Sequence, residues 1–323
     1  MKKSGGVLCG TQIAKYAWID AHKADSSACR LCRLIGVKRS SYTSYIRTQA
    51  QRKQRQTEQD SEQTQLDQHI TEMVERYSQT IGARRIKTAL KREHKLEVSR
   101  RRIIERMKAL GLKVITRQRY CNRNVAAIDD DRIAANALKR QFNVKGPNQK
   151  WVADISYIRT LEGWQYLAVF IDLYSRRVVG WAMDSRMEAQ LVKRALLRAL
   201  WSRKPTRGLI IHTDQGSQFV AKAYRNVLKH WGIKPSMSRR GNCWDNAVVE
   251  SFFASLKKER VYRTTYATGK QALYDVSDYI GWYNHQRMHS TNDNYSPVEY
   301  ENQWIRAMKE LDKKWASLCT KKG

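Results

Sequence analysis

The sequence predicts a mixed α/β core preceded by helical units that bind DNA. Three observations support this prediction. Apolar residues recur at helical spacing in the first third of the chain, whereas β-branched and aromatic residues alternate as in strands from Trp151 onward. Strand and helix patterns then alternate. The 323 residues include 61 Lys and Arg against 30 Asp and Glu, a formal net charge of +31, which favours a polyanionic partner, nucleic acid first.

Composition also limits the setting in which the chain works. A basic surface of this kind fits a DNA enzyme, but also a ribosome-associated or RNA-binding protein. Six cysteines are scattered without a disulfide framework, which favours a reducing cytoplasm. No apolar run reaches the length of a membrane span, and the N-terminus lacks the apolar segment of a signal peptide. We therefore expect no membrane partner.

The N-terminal region, 1–60, has the spacing of a helix-turn-helix followed by a polar segment. One apolar-spaced helix is expected to end before Gly36, and Ser40 or Ser41 is placed to cap the next. Residues 47–68 are almost wholly polar, which predicts a linker or an exposed helix.

The pair Cys29 and Cys32 raises the question of a zinc site. Zinc sites of this kind need a second pair of ligands at suitable spacing, and only His22 precedes the pair at moderate distance. Leu31 and Leu34 instead indicate that the segment is part of a helical core.

Residues 61–125 predict a second helical unit, a DNA-binding domain resembling a helix-turn-helix. Ser99 is placed to cap a helix that Gly111 ends. Three arginines open that helix: Arg100, Arg101 and Arg102. They would meet phosphates or base edges if the helix entered a DNA groove. The alternative is a helix pair with a charged, solvated face.

The core, 149–305, follows a basic linker, 126–148, and precedes a basic tail, 306–323. One short helical patch is expected near residues 131–141. The predicted strands are 151–158, 164–175, 177–184, 208–214 and 234–238, and the predicted helices are 186–203, 221–232, 245–262 and 269–287. Three consecutive strands followed by strand–helix alternation imply a mixed five-stranded sheet with flanking helices.

Three carboxylates are embedded in apolar sequence within this core. Asp154 lies inside the first strand, Asp214 follows the fourth, and Glu250 lies in a helix among valines and phenylalanines. Three buried acids brought together would repel one another and take up protons unless a cation were present. Mg²⁺ prefers oxygen ligands, and two such ions can clamp the attacking and leaving oxygens of an in-line phosphoryl transfer. Taken singly, each acid could instead cap a helix or pair with an arginine.

The turn after Asp214 is expected to shape this site. Gly216 allows the turn, and Gln218 with Phe219 would form the wall. His212, at the end of the fourth strand, either forms a hydrogen bond or touches the substrate.

The spacing of the acids and the flanking motifs make the sequence recognisable. Between Asp214 and Glu250 lie 35 residues (250 − 214 − 1), and Lys257 follows Glu250 by two helical turns on the same face. The motifs are "WVADISYIRT", "HTDQGSQF", "GNCWDNAVVESFFASLKKE" and "YNHQRMHSTNDNYSPVEY". The chain resembles retroviral integrases and, more narrowly, the second-reading-frame (OrfB) transposases of the insertion-sequence-3 family. The resemblance covers roughly residues 70–300.

This resemblance implies a ribonuclease-H-like catalytic core and a DNA transposase. Asp154, Asp214 and Glu250 would hold two Mg²⁺ or Mn²⁺ ions. The implied reaction is cleavage at the ends of the element, followed by attack of the freed 3′-hydroxyl on another phosphodiester, without a covalent protein–DNA intermediate. Lys257 would face DNA near the active site.

The resemblance also implies further contacts with DNA. Asn242, Trp244 and Asn246 would cap the catalytic helix and line the DNA channel, whereas Asp245 suits the helix N-terminus better than a metal site. Arg287 lies in "YNHQRMHS", which could contact phosphates or a DNA end, or could be a structural lobe. Asn284, His285 and His289 share this motif. The following "YSPVEY" is expected to close against the core.

The expected partner is double-stranded DNA, both terminal inverted repeats and target, bound by a homo-oligomer in the bacterial cytoplasm or nucleoid. In this family the first reading frame usually supplies a helix-turn-helix and a leucine zipper, and no heptad run is seen here. The active form could therefore be a frameshift fusion or an assembly with the first-frame (OrfA) protein.

Two other functions compete with the transposase. A catalytically silent DNA-binding regulator would lack one of the acids, and all three are present. A ribonuclease-H-type nuclease would act on RNA–DNA hybrids, but the basic helical N-terminus and the 35-residue spacing argue against it.

Overall fold

The computed structural model describes residues 11–24, 26–114, 134–138, 144–238 and 246–320, the last six of them by backbone alone. The chain divides into two compact units, 1–72 and 73–323. In the described part of the chain, none of the helices combines the length and apolarity that a bilayer span requires.

The first unit has the predicted order of short helices. It contains α1 (Gln12–His22), α2 (Ala28–Ile35) and most of α3 (Arg39–Arg76). Gly36 ends α2 at φ +73°, a left-handed conformation that glycine adopts without a steric penalty. The buried core consists of Tyr16, Ile19, Leu31, Cys32, Ile35 and Tyr42. Cys32 therefore lies within a packed helical core.

Two details of this unit differ from the sequence predictions. Helix α3 already begins at Arg39, so neither Ser40 nor Ser41 is its cap. Leu34 is 57% exposed rather than part of the core. The polar stretch 47–68 is helical and mostly exposed, which is the exposed-helix alternative.

The second unit begins with the last turn of α3 and continues with two helices that pack on each other, α4 (Ala83–His94) and α5 (Arg100–Ala109). Ser99 Oγ accepts a hydrogen bond of 3.2 Å from the backbone N–H of Arg102, which confirms the predicted cap. Gly111 follows the helix at φ +66°. Of the helical patch expected near 131–141, residues 134–138 are not helical, and the remainder lies outside the described residues.

The five predicted strands form one mixed sheet. They are β1 (Lys150–Thr160), β2 (Gly163–Asp172), β3 (Val178–Asp184), β4 (Ile210–Thr213) and β5 (Lys234–Met237). Their order is β3-β2-β1-β4-β5. The first three strands pair antiparallel, and β4 lies parallel to both β1 and β5.

Helices cover both faces of this sheet. They are α6 (Ala189–Arg203), α7 (Ser217–Val220), α8 (Lys222–His230), α9 (Ala247–Glu259), α10 (Gly269–His285) and α11 (Pro297–Thr320). One hydrophobic core lies between the sheet and α6 with α8, and a second lies between the sheet and α9 with α10. The short helix α7 was not predicted. The arrangement is the ribonuclease-H-like core that the sequence implied.

The first turns of α11 close against this core, as expected for "YSPVEY". Glu301 is only 2% exposed and pairs with Arg203 and Arg177. Tyr300 stacks on Tyr174 at 5.1 Å between ring centroids. The helix then continues through residue 305, where the sequence placed the start of a separate tail.

Candidate active site

The sheet register brings two of the three acids to the same end of neighbouring strands. In the parallel pair, Val152 of β1 lies opposite His212 of β4. Asp154 lies two positions after Val152, and Asp214 lies two positions after His212. Because parallel strands run side by side about 4.8 Å apart, the two acids lie at equivalent positions just beyond the paired part of β1 and β4.

The third acid is presented by α9. The buried side of this helix consists of Val249, Phe252, Phe253 and Leu256, and it packs against β1 and β2. Glu250 lies in its first turn, and Lys257 follows two turns later, both partly exposed. Hydrophobic packing thus fixes the helix, and Glu250 stands beside the buried stripe.

Electrostatic interactions connect these side chains. The pKa of Asp154 is raised to about 8, first by burial and then by the charges of Asp214 and Glu250, against the opposing effects of the 2.7 Å hydrogen bond from the N–H of Ile155 and of the charge of Lys257. Burial raises the pKa of both Asp214 and Glu250. Burial lowers the pKa of Lys257, and the charge of Asp154 opposes that shift. Asp154 is therefore the member of the group whose protonation responds to the charges of the other two acids and of Lys257.

The acids meet the chemical requirement for a divalent cation. Each offers carboxylate oxygens, the ligands that Mg²⁺ prefers, and a cation would remove the repulsion that raises the pKa of Asp154. Among the described residues, no three Asp, Glu, His or Cys side chains stand close enough to hold a metal as they are. A bound cation would have to draw the carboxylates together.

The acids are more accessible than the sequence suggested. As whole residues, Asp214 is exposed, and Asp154 and Glu250 are partly exposed, so the expectation of three buried acids was wrong, although enough protein surrounds each carboxylate to raise its pKa. The reason is that Asp154 lies on β1 beyond Val152, where the pairing with β4 ends. The site can therefore be reached from solvent.

The turn after β4 holds Asp214 closely. The N–H of Gly216 donates a hydrogen bond of 3.1 Å to Asp214 Oδ1. A Cβ atom at Gly216 would lie 3.1 Å from the same oxygen. Gln218 donates to the carbonyl of Met187 at 3.1 Å, and Phe219 is buried in the core beneath the turn. Glycine is thus the residue that leaves the carboxylate undisturbed.

Of the two roles left open for His212, a hydrogen bond or a contact with the substrate, the structure shows the hydrogen bond. The side chain is fully buried, and its Nδ1 lies 2.9 Å from Ser236 Oγ. Its assignment as a DNA contact was wrong, because the side chain is fully buried and its Nδ1 is already engaged with Ser236.

The prediction that Arg287 contacts DNA was also wrong. The side chain is 9% exposed, and it donates to Glu259 through Nε at 3.1 Å and Nη2 at 2.7 Å and to Ser255 at 3.2 Å. Asn284 exchanges two hydrogen bonds with the backbone of Val178. These contacts support the structural-lobe alternative for the motif, because the guanidinium is already bound within the protein and is not available to a phosphate.

The stretch before α9 can be followed only in part. Asn242, Trp244 and Asp245 lie outside the described residues. Asn246 stands at the N-cap of α9, but its side chain makes no capping hydrogen bond and is 6% exposed. The capping prediction for Asn246 was wrong.

The arginines that open α5 are exposed to solvent. Arg101 pairs with Glu105 one turn later at 2.9 Å. An open pocket of about 310 Å³ lies near the starts of α4 and α5, lined by Gly82, Ala83, Arg84, Arg85 and Arg100. Arginine side chains and helix N-termini are both suited to phosphate oxygens.

Two aromatic residues near the acids were predicted only as parts of strands. Lys257 Nζ lies 4.3 Å from the ring centroid of Tyr157, and Tyr157 contacts Trp164 edge to face. Alternation in β1 and β2 placed their side chains on one face, but it did not reveal that this face is uncovered.

Comparisons with known proteins identify the family of the core and of the helices before it. Residues 144–243 and 250–305 match two family models described as integrase core domain, and residues 60–120 match an HTH-like domain. The transposase InsF for insertion sequence IS3A of Escherichia coli is 37% identical over 89% of this chain and 98% of its own length. An insertion element IS600 protein of Shigella sonnei is 36% identical over 85% of this chain and 98% of its own length.

One solved structure is also similar in outline. The HTLV-2 integrase catalytic core domain in complex with magnesium aligns with a TM-score of 0.39 and 16% identity, over 49% of this chain and 98% of that chain. At that score the fold assignment rests on the sheet order and the family models instead.

Proposed function

The chain belongs to the insertion-sequence-3 transposase family, and on that basis we propose that Asp154, Asp214 and Glu250 form the site at which this transposase cleaves and joins DNA strands. The observation that carries the assignment is the parallel register of β1 and β4, which brings Asp154 and Asp214 to equivalent strand positions. The electrostatic effect of Glu250 on Asp154 adds the third member.

The chemistry follows from what these side chains can do. Two divalent cations, Mg²⁺ or Mn²⁺, held by the three acids would supply Lewis-acid stabilisation for the attacking and leaving oxygens. The backbone of Asp154 is held in β1, that of Asp214 directly follows β4, and that of Glu250 is held in α9, so a bound cation would need to move only the side chains. Lys257 places a positive charge beside Asp154, where it can orient a phosphate.

The reaction needs no covalent intermediate on the protein. Water attacks a phosphodiester at the end of the element, and the bond between phosphorus and the 3′-oxygen breaks, which frees a 3′-hydroxyl. That hydroxyl then attacks a second phosphodiester and displaces its 3′-oxygen in turn. Each step exchanges one phosphorus–oxygen bond for another.

We place double-stranded DNA, as terminal repeats and as target, along the basic surfaces of the chain. The net charge of +31 and the arginine-lined pocket between α4 and α5 support this placement. A homo-oligomer would hold two DNA ends, and the first-frame protein or a frameshift fusion would complete end recognition. The reaction would occur in the bacterial cytoplasm, at the nucleoid.

A cleavage and joining assay tests the proposal. The purified chain is incubated with labelled DNA carrying the ends of its element, with Mg²⁺ or with EDTA. We expect joining that depends on the metal, is lost in Asp214→Asn and is retained in Asp312→Asn, an exposed acid on α11. Joining activity that is retained in Asp214→Asn would contradict the assignment of Asp214 to the active site. If the chain binds DNA but does not react, the fusion protein is tested next, and an inactive fusion would favour the silent regulator.

A further inference from the structure

Two large aromatic side chains stand uncovered on the hairpin formed by β1 and β2. Tyr157 is 53% exposed and Trp164 is 46% exposed. Their ring centroids lie 5.2 Å apart at an interplanar angle of 88°. Leu161 at the hairpin tip is 76% exposed. Exposed aromatic rings that contact each other beside a further exposed apolar side chain suit a binding surface.

The hairpin holds the aromatic pair firmly. Trp164 lies directly opposite Arg159, and Tyr157 is its diagonal cross-strand neighbour on the same face. The tip is tied down at Leu161, whose N–H donates to the carbonyl of Tyr266 at 3.0 Å. Glu162 accepts a 2.8 Å hydrogen bond from the N–H of Gly269. The rings are therefore displayed on a rigid support.

Positive charges flank the rings. Lys257 Nζ lies 4.3 Å from the centroid of Tyr157, and the Arg159 guanidinium lies 5.9 Å from the centroid of Trp164. Aromatic faces beside Lys and Arg are the combination with which proteins bind unpaired nucleic acid, because the bases stack and the cations meet phosphates.

The aromatic pair lies close to the acids along the chain. Tyr157 is three residues beyond Asp154 on β1, about 10 Å at the usual rise of a strand. Alternation places the two side chains on opposite faces, but β1 is unpaired with β4 beyond Val152. Lys257 stands near both side chains at this open edge. A nucleotide strand that passes the acids can therefore reach the rings around the edge.

We propose that Tyr157 and Trp164, with Arg159 and Lys257, form a stacking platform for an unpaired DNA base next to the phosphodiester that reacts. The proposal rests on the proposed function, because it assigns DNA to the adjacent acids. A second copy of the chain fits this surface less well than DNA does, since it would bring further positive charge toward two cations.

Photocrosslinking tests the contact independently of the chemistry. The cleavage-blocked Glu250→Gln chain is bound to DNA ends that carry 5-iodouracil at single positions around the scissile phosphate. We expect one or two adjacent positions to crosslink to the hairpin peptide containing Trp164, and Trp164→Ala to remove these crosslinks. Trp201→Ala is the matched control, because Trp201 is 67% exposed and also pairs edge to face, with Trp231. Crosslinks that avoid the hairpin, or that persist in Trp164→Ala, would overturn the proposal.

A kinetic comparison separates stacking from a structural role. On fully paired ends, Trp164→Ala should cleave about tenfold more slowly, given the usual strength of base–aromatic stacking. Trp164→Phe should retain most activity, and ends with mismatched flanking bases should restore Trp164→Ala. An equal loss on both kinds of end, or no loss, would reject the platform, as would a change of oligomer mass in Trp164→Ala without DNA.

These outcomes remain distinct from failure of the proposed function. If the wild-type chain crosslinks through the hairpin but neither cleaves nor joins DNA with its metal, the platform stands and the catalytic assignment fails. If the wild-type chain cleaves DNA but no crosslink forms with the hairpin, the catalytic assignment stands and the platform is rejected.

Discussion

Gly216 is a close neighbour of the Asp214 carboxylate and donates a hydrogen bond to it. A methyl group at that position would lie 3.1 Å from Asp214 Oδ1 and 3.1 Å from the Gln218 side-chain oxygen, so both side chains would have to move by a few tenths of an ångström. The backbone itself accepts alanine, because its φ of −57° is an ordinary value. The effect of a substitution should therefore appear in the position of the carboxylate.

We predict that Gly216→Ala slows strand joining about tenfold, since small displacements of a reacting group are costly, while the melting temperature stays close to that of the wild type. Joining rate and thermal melting are measured on the same preparations. Gly281→Ala is the control, because a Cβ atom there meets no atom within 4 Å. An unchanged joining rate would mean that the carboxylate tolerates the displacement.

His289 gives the lobe after α10 a dependence on pH. Burial, and then the charges of Arg287, Arg85 and Arg176, lower the pKa of His289 well below its usual value. Below about pH 6.5 the unfolded chain takes up a proton that the folded chain does not, so this contribution to stability is present at neutral pH and lost as the pH falls. His289→Gln should flatten the loss of unfolding free energy between pH 7 and pH 5. Urea titrations at both values check this, with the exposed His285→Gln as control; equal slopes in both variants would contradict it.

The C-terminal end of helix α9 is held by an ion pair between Glu259, its last residue, and Arg287, which follows α10. Arg287 and Glu259 are each about one-tenth exposed, and Glu259 also accepts a hydrogen bond of 2.7 Å from Tyr279. Removing one member of a buried pair leaves the other uncompensated. This pair therefore supports the helix that carries Glu250.

We predict that Arg287→Ala lowers the free energy of unfolding by about 3–5 kcal/mol, the usual effect of breaking a buried ion pair. Denaturant titration measures the change. Arg101→Ala removes an exposed pair of similar length with Glu105 and should cost less than about 1 kcal/mol. Similar losses in the two variants would show that the buried ion pair contributes no more to the free energy of unfolding than the exposed pair does.

The start of α5 is expected to contribute phosphate contacts as an element. The test changes three exposed arginines to glutamine together: Arg100, Arg101 and Arg102. DNA affinity should fall, and the slope of its dependence on salt should decrease by up to about 0.9 for each phosphate that these arginines no longer neutralise. The control removes the same charge from exposed positions of α11: Arg306, Lys309 and Lys313. Equal effects of the two triple variants would mean that the arginines of α5 contribute no more to DNA binding than other basic residues on the surface.

At the scale of the whole molecule, periodic patterns predicted most of the fold. All five strands and the helices α6, α8, α9 and α10 overlap the segments that alternation and helical spacing predicted, whereas α7 was not predicted and α11 was expected only as a closing segment. The distant partners of single residues were not predictable: Ser236 lies 24 residues from His212, and Glu259 lies 28 residues from Arg287. Local sequence gives the face of a strand or helix on which a residue lies, but not what covers that face. The same limit explains why alternation alone did not reveal that Trp164 is exposed.

The placement of the acids was predictable for a different reason. The 35-residue spacing and the motifs around Asp214 and Glu250 indicated the family, and the register of β1 and β4 supplies a physical reason for two of the three positions. The accessibility of the acids followed only from the structure, because it depends on where the pairing of β1 with β4 ends.

Strand joining by Glu250→Gln is the most direct test of the proposed active site. Glutamine preserves the size of the side chain and the packing of α9 but removes the negative charge. Joining of labelled DNA ends, binding of the same DNA and thermal melting are measured together, with the same fusion partner if the wild type requires one. We predict wild-type folding and DNA binding with no joining. Joining at the wild-type rate would contradict the assignment and would remove Glu250 from the active site.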